Sequence, residues 1–271
     1  MTAVLRHQCA TQWAARSHCA LTSGRTLNQS ASYCSSSSSS SGDDAAGSHG
    51  SRRFRQHVNP LAMQYREPIA LPDWHTTFAD ASLPIHLDIG CARGKYLMQV
   101  AQANATKMNY VGVEIRQNVV LDAIDEAARR RIRNLAFLHA NMNFQQKLLI
   151  PSLPQPIESV SIFHPDPWMK KRHLKRRLVT DEFVNELADL LHDGTPIFVQ
   201  TDVAELFEYM VEVFEQSQRF DFDALRVNPF GIPTDREKFV CDQGGEIYRV
   251  KFIVGSKGES EPANPSLSFG R

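Results

Sequence analysis

Cysteine is scarce and poorly placed for chemistry. Five occur in 271 residues: Cys9, Cys19 and Cys34 lie near the N-terminus, and Cys91 and Cys241 stand far apart. No CxxC pair or His-rich spacing accompanies them. Neither a disulfide framework nor a metal site is therefore expected, and a reducing compartment is the default. Long apolar runs are missing too. No stretch approaches the roughly 20 residues a membrane helix needs, so no membrane partner is expected. Net charge is also absent, with 30 Lys and Arg against 30 Asp and Glu. That excludes a polycation that grips nucleic acid over its whole surface. The balance hides two local absences. Residues 1–42 contain no Asp or Glu, and between Asp181 and Asp223 the only Lys or Arg is Arg219.

The acid-free N-terminus carries Arg6, Arg16 and Arg25 in a background of Ala, Ser and Thr, then an unbroken serine tract at 35–41. Such a segment cannot bury enough apolar area to offset its ordering entropy, so residues 1–50 are expected to be a disordered extension. The composition is also that of an organellar transit peptide. The serines tilt the expectation toward plastid over mitochondrion, and without an address the chain would be cytoplasmic. Residues 51–80 form a basic arm with Arg52, Arg53, Arg55, His57 and Arg66 and an Asn59-Pro60 turn signal. It either packs on the domain and adds phosphate contacts or is a solvated linker. Residues 257–271 read as a flexible tail.

Between them, residues 81–256 alternate strand and helix. Apolar strands are expected at 85–89, 109–115, 135–138, 159–163 and 196–200. Helical spacing follows the first strand at Tyr96, Leu97, Val100 and Ala101. It recurs over 117–132, with Val120, Leu121, Ile124 and Ala128 on one face. It appears again at Phe183, Val184, Leu187, Leu190 and Leu191, closed by Gly194, and over 203–214. Residues 220–227 and 247–254 read as two last strands with no helix between them. The pattern predicts an α/β, doubly wound Rossmann-like sheet, mostly parallel with an antiparallel edge strand. Ligands in such sheets bind at the C-terminal ends of the strands.

The first strand runs into Leu87-Asp88-Ile89-Gly90-Cys91-Ala92-Arg93-Gly94-Lys95. This is a poor fit to the GxGxxG turn that cradles a pyrophosphate. An acid two positions before the first glycine suits S-adenosylmethionine instead, because Asp88 can meet its positively charged methionyl end. Glu114, ending the second strand, sits where an acid accepts both ribose hydroxyls. Asn141, after the third, is placed for an adenine edge. Singly, these are ordinary turn and strand-end residues; in order on consecutive strand ends they favour a methyl donor over a nicotinamide.

The fourth strand leads into Phe163-His164-Pro165-Asp166-Pro167-Trp168-Met169-Lys170-Lys171-Arg172-His173-Leu174-Lys175-Arg176-Arg177. One carboxylate stands between two prolines beside a tryptophan, followed by six Lys or Arg in eight positions. An acid on a stiff loop, an aromatic plate and a cationic run suit a nucleobase gripped by its flanking phosphates. Plainer readings stand beside this one. The cations can be a solvated face or a nuclear address, Trp168 a core residue and His173 an ordinary surface residue. Thr234-x-x-Glu237 has the spacing of a helix capping box.

This run resembles the signature of the tRNA (guanine-N7-)-methyltransferases of bacterial and organellar type. The likeness extends to Gly112-Val113-Glu114-Ile115-Arg116, Thr201-Asp202, Thr234-Asp235-Arg236-Glu237 and Gly244-Gly245-Glu246-Ile247-Tyr248-Arg249, and covers about 55–252. The resemblance implies methylation of guanine N7 in tRNA, at variable-loop position 46, with S-adenosyl-L-methionine as cofactor. It implies cofactor contacts at Asp88, Gly90, Glu114, Arg116, Asn141 and Asp166, with Asp166 as the active-site acid. It implies tRNA contacts at Lys170, Asp202, Thr234, Arg236 and Glu237. The bacterial-type members work as a single subunit, so no accessory subunit is required, and the expected form is a monomer or homodimer. Two departures stand out: Asp88 where some members carry Glu, and His164 before the proline. The competing expectations are another Rossmann-fold methyltransferase, or an RNA-binding protein that has lost catalysis.

Overall fold

The structure is a computed structural model and describes residues 58–255. The expectations for the 1–50 extension, for 51–57 of the basic arm and for the 257–271 tail lie outside the described residues.

Five strands, β1 (Ile85–Ile89), β2 (Asn109–Glu114), β3 (Leu135–His139), β4 (Ile157–Phe163) and β5 (Pro196–Thr201), run parallel. β6 (Phe220–Ala224) and β7 (Tyr248–Val254) complete a sheet of order β3-β2-β1-β4-β5-β7-β6. β7 is antiparallel to both neighbours and lies one strand in from the edge, between β5 and β6. The chain order reverses between β1 and β4, so their C-terminal ends border the crevice where such sheets take ligands.

α1 (Trp74–Thr77) and the segment before it belong to the core. Trp74 and Phe78 are buried and stacked at 5.7 Å. Pro60 and Glu67 lend carbonyls to Asn141 and Gln145, both at 2.8 Å. α2 (Lys95–Ala103) starts at Gly94, whose φ of +64° is left-handed, and a Cβ there would sit 2.2 Å from the Phe137 ring. Only glycine admits both.

Four expectations need correction. α3 (Gln117–Arg129) buries Val119, Val120, Ala123 and Ala127 and leaves Leu121 and Ile124 exposed. The small alanines let the helix lie close on the sheet, and hydrophobicity alone misplaces the face. α4 (Met142–Leu149) is an additional helix; glutamines 145 and 146 on its buried side mask the apolar period. α5 (Asp181–Leu190) ends on Leu191 in extended conformation. Gly194 instead forms the turn into β5, donating to the Val254 carbonyl at 2.7 Å. After α6 (Ala204–Ser217), a further helix, α7 (Asp235–Asp242), separates the last two strands. It buries only Glu237 and Val240, which leaves no apolar stripe to read.

Candidate active site

The predicted residues collect at the C-terminal edge of the sheet. Asp88 and Glu114 lie at the ends of β1 and β2, Gly90 and Arg116 just beyond them, Asn141 follows β3, His164 and Asp166 follow β4, and Asp202 follows β5.

Asp88 is buried and accepts from Ser161 Oγ at 2.6 Å. Ser161 in turn meets His86 Nε2 at 2.9 Å, and His86 Nδ1 meets Ser159 Oγ at 2.8 Å. Because the Ser161 hydroxyl donates to Asp88, the imidazole carries its proton on Nε2 and donates to Ser161. Burial pushes the pKa of His86 down to about 3, so the ring stays neutral. Burial raises the Asp88 carboxyl to about 7; the Ser161 hydrogen bond lowers it, and the charge of Glu114 raises it.

A carboxyl that titrates near neutrality makes the binding of a cationic ligand beside it pH-dependent. Only the ionised form attracts the cation, so apparent donor affinity is expected to fall toward tenfold per unit as pH drops below about 7. Ser161→Ala removes the bond that favours ionisation and should move the midpoint upward. Donor KM across pH 6–9 checks both. The unliganded domain has the opposite sign. The folded state holds the Asp88 proton more tightly than an ordinary carboxyl, so this group's contribution weakens as pH rises from about 4 to about 7.

Glu114 ties the loop after β1 to the loop after β2. It accepts from the Ala92 N–H at 3.2 Å, from the Arg116 N–H at 2.9 Å and from the Arg116 guanidinium at 2.9 and 3.0 Å. Ala92 is left-handed at φ +49°, and Gly90, at φ +88°, has open space where a Cβ would stand. Bare backbone beside two acids fits an adenosyl group with a cationic tail. Asn141 caps α4, accepting from the Asn143 N–H at 3.1 Å and donating to Pro60, which leaves one amide hydrogen and one lone pair for a ligand.

The loop after β4 divides in two. Asp166, Pro167, Trp168, Met169, Lys170 and His173 line an open pocket of about 260 Å³. The cationic run splits: Lys170, Lys171, Arg172 and Lys175 are exposed, whereas Arg177 is buried. Arg177 donates to the Pro167 carbonyl at 2.9 Å and lies 4.3 Å over the Tyr209 ring. Arg176 stacks 5.1 Å over Trp168. Two of the six cations therefore shape the loop, and Trp168 is a half-buried wall with Arg176 stacked on it.

The structure brings Asp202, Thr234, Arg236 and Glu237 together and partners them with one another and with neighbours. Arg236 pairs with Asp202, whose other oxygen takes His164 Nδ1 at 3.0 Å. Burial opposes ionisation of Asp202, but the bonds from Arg236 and His164 hold its carboxyl below the usual range. Thr234 and Glu237 complete the capping box of α7. The buried Glu237 also accepts from Gln200 at 3.1 Å, Asn228 at 3.0 Å and Arg249 at 2.5 Å. Sequence reading gave no role to Ser161, His86 or Gln200, and took Arg249 only as the end of a family motif. The available signal was a polar stripe on strands that are otherwise apolar.

Among the described residues, no group of three His, Cys, Asp or Glu could hold a metal, and no helix is long and apolar enough to cross a membrane.

Comparison with known proteins shows the family to which the chain belongs. Residues 82–250 match the family Methyltransf_4, described as "Putative methyltransferase". A Microcystis aeruginosa protein named tRNA (guanine-N(7)-)-methyltransferase is 45% identical over 207 residues, covering 74% of this chain and 98% of that one. A Synechococcus elongatus protein of the same name is 43% identical over 205 residues, covering 74% and 96%. A solved antibiotic-related methyltransferase superposes with a TM-score of 0.44 at 16% identity, covering 71% and 98%.

Proposed function

The chain belongs to the tRNA (guanine-N(7)-)-methyltransferase family, and on that footing we propose how its residues divide the work of methylating guanine N7 in tRNA. S-adenosylmethionine, as the bound cofactor, supplies an electrophilic methyl group on a sulfonium. Asp88 and Gly90 would hold its methionyl end, Glu114 its ribose hydroxyls and Asn141 its adenine edge. The Arg116 guanidinium, which takes two of the four acceptor sites of Glu114, would yield them to the ribose.

Guanine N7 has an in-plane lone pair and no proton, so its alkylation needs no general base. What it needs is alignment, exclusion of water and compensation of the positive charge that forms on the ring. Asp166 meets these needs from the pocket it shares with Trp168 and Lys170. It accepts from guanine N1–H and the exocyclic amine, and its charge balances the product cation. The shared pocket at the end of β4, whose Asp166 also acts on the charge of Arg116, is the observation that carries the reading. Position 46 of the variable loop is the proposed target, an exposed base of the kind proteins read in folded RNA. Protein lacking its first fifty residues, incubated with labelled S-adenosylmethionine and unmodified tRNA, should label the RNA. Labelling no higher than in a heat-killed control would refute the reading.

Lys170, Lys171, Arg172 and Lys175 extend the pocket toward the RNA backbone. Changing Lys171, Arg172 and Lys175 to Gln should weaken tRNA binding and reduce the slope of log K against log salt by about 2–3. Arg177→Met should instead lower stability, since Arg177 is buried against Pro167 and Tyr209. Salt titrations of tRNA binding, paired with melting curves, separate the two effects.

We further propose that the chain acts without an accessory subunit and that its N-terminal extension addresses it to an organelle, with plastid favoured. The cyanobacterial relative is matched over 98% of its length by 74% of this chain, which leaves room here for a segment the relative lacks. A fluorescent fusion of residues 1–50 reports the compartment.

A further inference from the structure

We propose that His164 is a positioning residue: its ring, clamped between Asp202 and Gln200, fixes the turn that presents Asp166. The inference rests on the assignment of Asp166 as the acid facing guanine.

His164 is the first residue after β4 and adopts φ +51°. A non-glycine residue there costs on the order of 1–3 kcal/mol and persists only where its surroundings determine it. Those surroundings are well defined. The His164 N–H donates to the Gln200 carbonyl at 2.7 Å. Its Nδ1 lies 3.0 Å from Asp202 Oδ1, and its Nε2 lies 2.9 Å from Gln200 Nε2.

The directions of these bonds follow from Arg249, which can only donate. Its Nε meets Gln200 Oε1 at 2.8 Å, so the amide nitrogen of Gln200 faces His164 and Glu237. Gln200 therefore donates to His164 Nε2, and the ring proton sits on Nδ1, aimed at Asp202. Every group in the cluster is matched as a neutral imidazole. Protonation at Nε2 would set one N–H against another.

This fixed point reaches Asp166 through stiff chain. Pro165 and Pro167 flank the acid and lock φ on either side of it. The far side is anchored as well, because Arg177 holds the Pro167 carbonyl. Asp166 therefore hangs between two anchors, and His164 is the one next to the sheet. The groups facing the ring are Asp202 from the end of β5 and Arg236 and Glu237 from α7, with Arg249 of β7 behind Gln200. Burial lowers the pKa of His164, and the Asp202 hydrogen bond and charge oppose that shift only in part.

The test uses His164→Phe and His164→Asn in the full-length protein, with kcat at saturating tRNA and donor, both KM values, a melting curve and a pH profile. Phe keeps the ring but loses both side-chain bonds; turnover should fall about 10- to 100-fold, the range of a misplaced reacting group, with each KM within about threefold. Asn tolerates the left-handed backbone and can still donate to Asp202, so it should recover most of the loss. Wild-type kcat should fall on acidification below the ordinary histidine range, and neither variant should show that limb. Wild-type turnover in folded His164→Phe would overturn the proposal, as would an acid limb in the variants with the wild-type midpoint. If Phe does not fold, the pH profile of Asn decides alone. Wild-type turnover in Asp166→Asn would instead bring down the assignment of the acid, and this inference with it. An inactive Asp166→Asn beside a fully active His164→Phe would sink the positioning role alone.

Discussion

Asp166→Asn is expected to lower kcat by about 10²- to 10³-fold, the usual cost of removing one preorganised electrostatic partner from a reacting centre. The substitution preserves size and one acceptor oxygen. It removes the negative charge and turns an N–H toward a guanine edge that is itself a donor. The product ring then gains its positive charge without a counter-ion, and the base has one acceptor fewer to fix its tilt. Binding should change little, because the exposed cations Lys170, Lys171, Arg172 and Lys175 supply most of the backbone attraction. Single-turnover transfer with saturating donor, beside tRNA binding measured on the same preparation, gives the answer. Transfer within about threefold of wild type would show that Asp166 is a bystander to the chemistry.

Arg249→Met is expected to be the most damaging change for stability, at about 3–5 kcal/mol, because it leaves the buried Glu237 carboxylate without its cation. Burial raises the pKa of Glu237, and the bonds from Asn228, Gln200 and Arg249 together outweigh it, so the carboxyl is held ionised below its usual range. Without Arg249, the charge remains and the strongest donor is gone. Gln200 also loses the contact that orients its amide toward His164. The double variant Arg249→Met/Glu237→Gln should regain part of the loss, since no uncompensated charge then remains. Urea midpoints of the two variants measure this. A single variant as stable as wild type would mean that Glu237 is not held by Arg249. The prediction also separates two roles for Glu237. As a tRNA contact, its loss would weaken RNA binding at full stability; as the centre of a buried cluster, its loss would lower the melting temperature first.

The strands were legible because period-2 and continuous apolar runs survive on every one of them, and β1 was readable residue for residue. The placing of the Gly-rich turn and of Asp88, Glu114 and Asp166 at the ends of β1, β2 and β4 was legible because the strand pattern already locates those ends. The helices were harder. α3 was rotated in the reading because Leu121 and Ile124 outweigh Ala123 and Ala127 in hydrophobicity, although the alanines make the contact. α4 and α7 were hidden because their buried faces include Gln145, Gln146 and Glu237. The division of the basic run was invisible for another reason. Arg176 and Arg177 differ from Lys175 only in tertiary surroundings, and a ring offered by Tyr209 or Trp168 cannot be seen in the local sequence. The capping box at Thr234 and Glu237 was readable from spacing. The further use of Glu237 as the acceptor for Arg249 was not, because β7 returns to β5 only in three dimensions.

The central claim is that this chain places guanine N7 of tRNA against a methyl donor, with Asp166 as the orienting anion. Its most direct test maps the modified position. An unmodified tRNA transcript is incubated with the enzyme and S-adenosylmethionine, then treated with borohydride and aniline to cut the chain at N7-methylguanine. The account predicts one cut, at position 46, absent with Asp166→Asn under single-turnover conditions and absent when adenine replaces guanine there. Methyl label in the RNA without a cut, or cuts that survive the loss of that guanine, would contradict it.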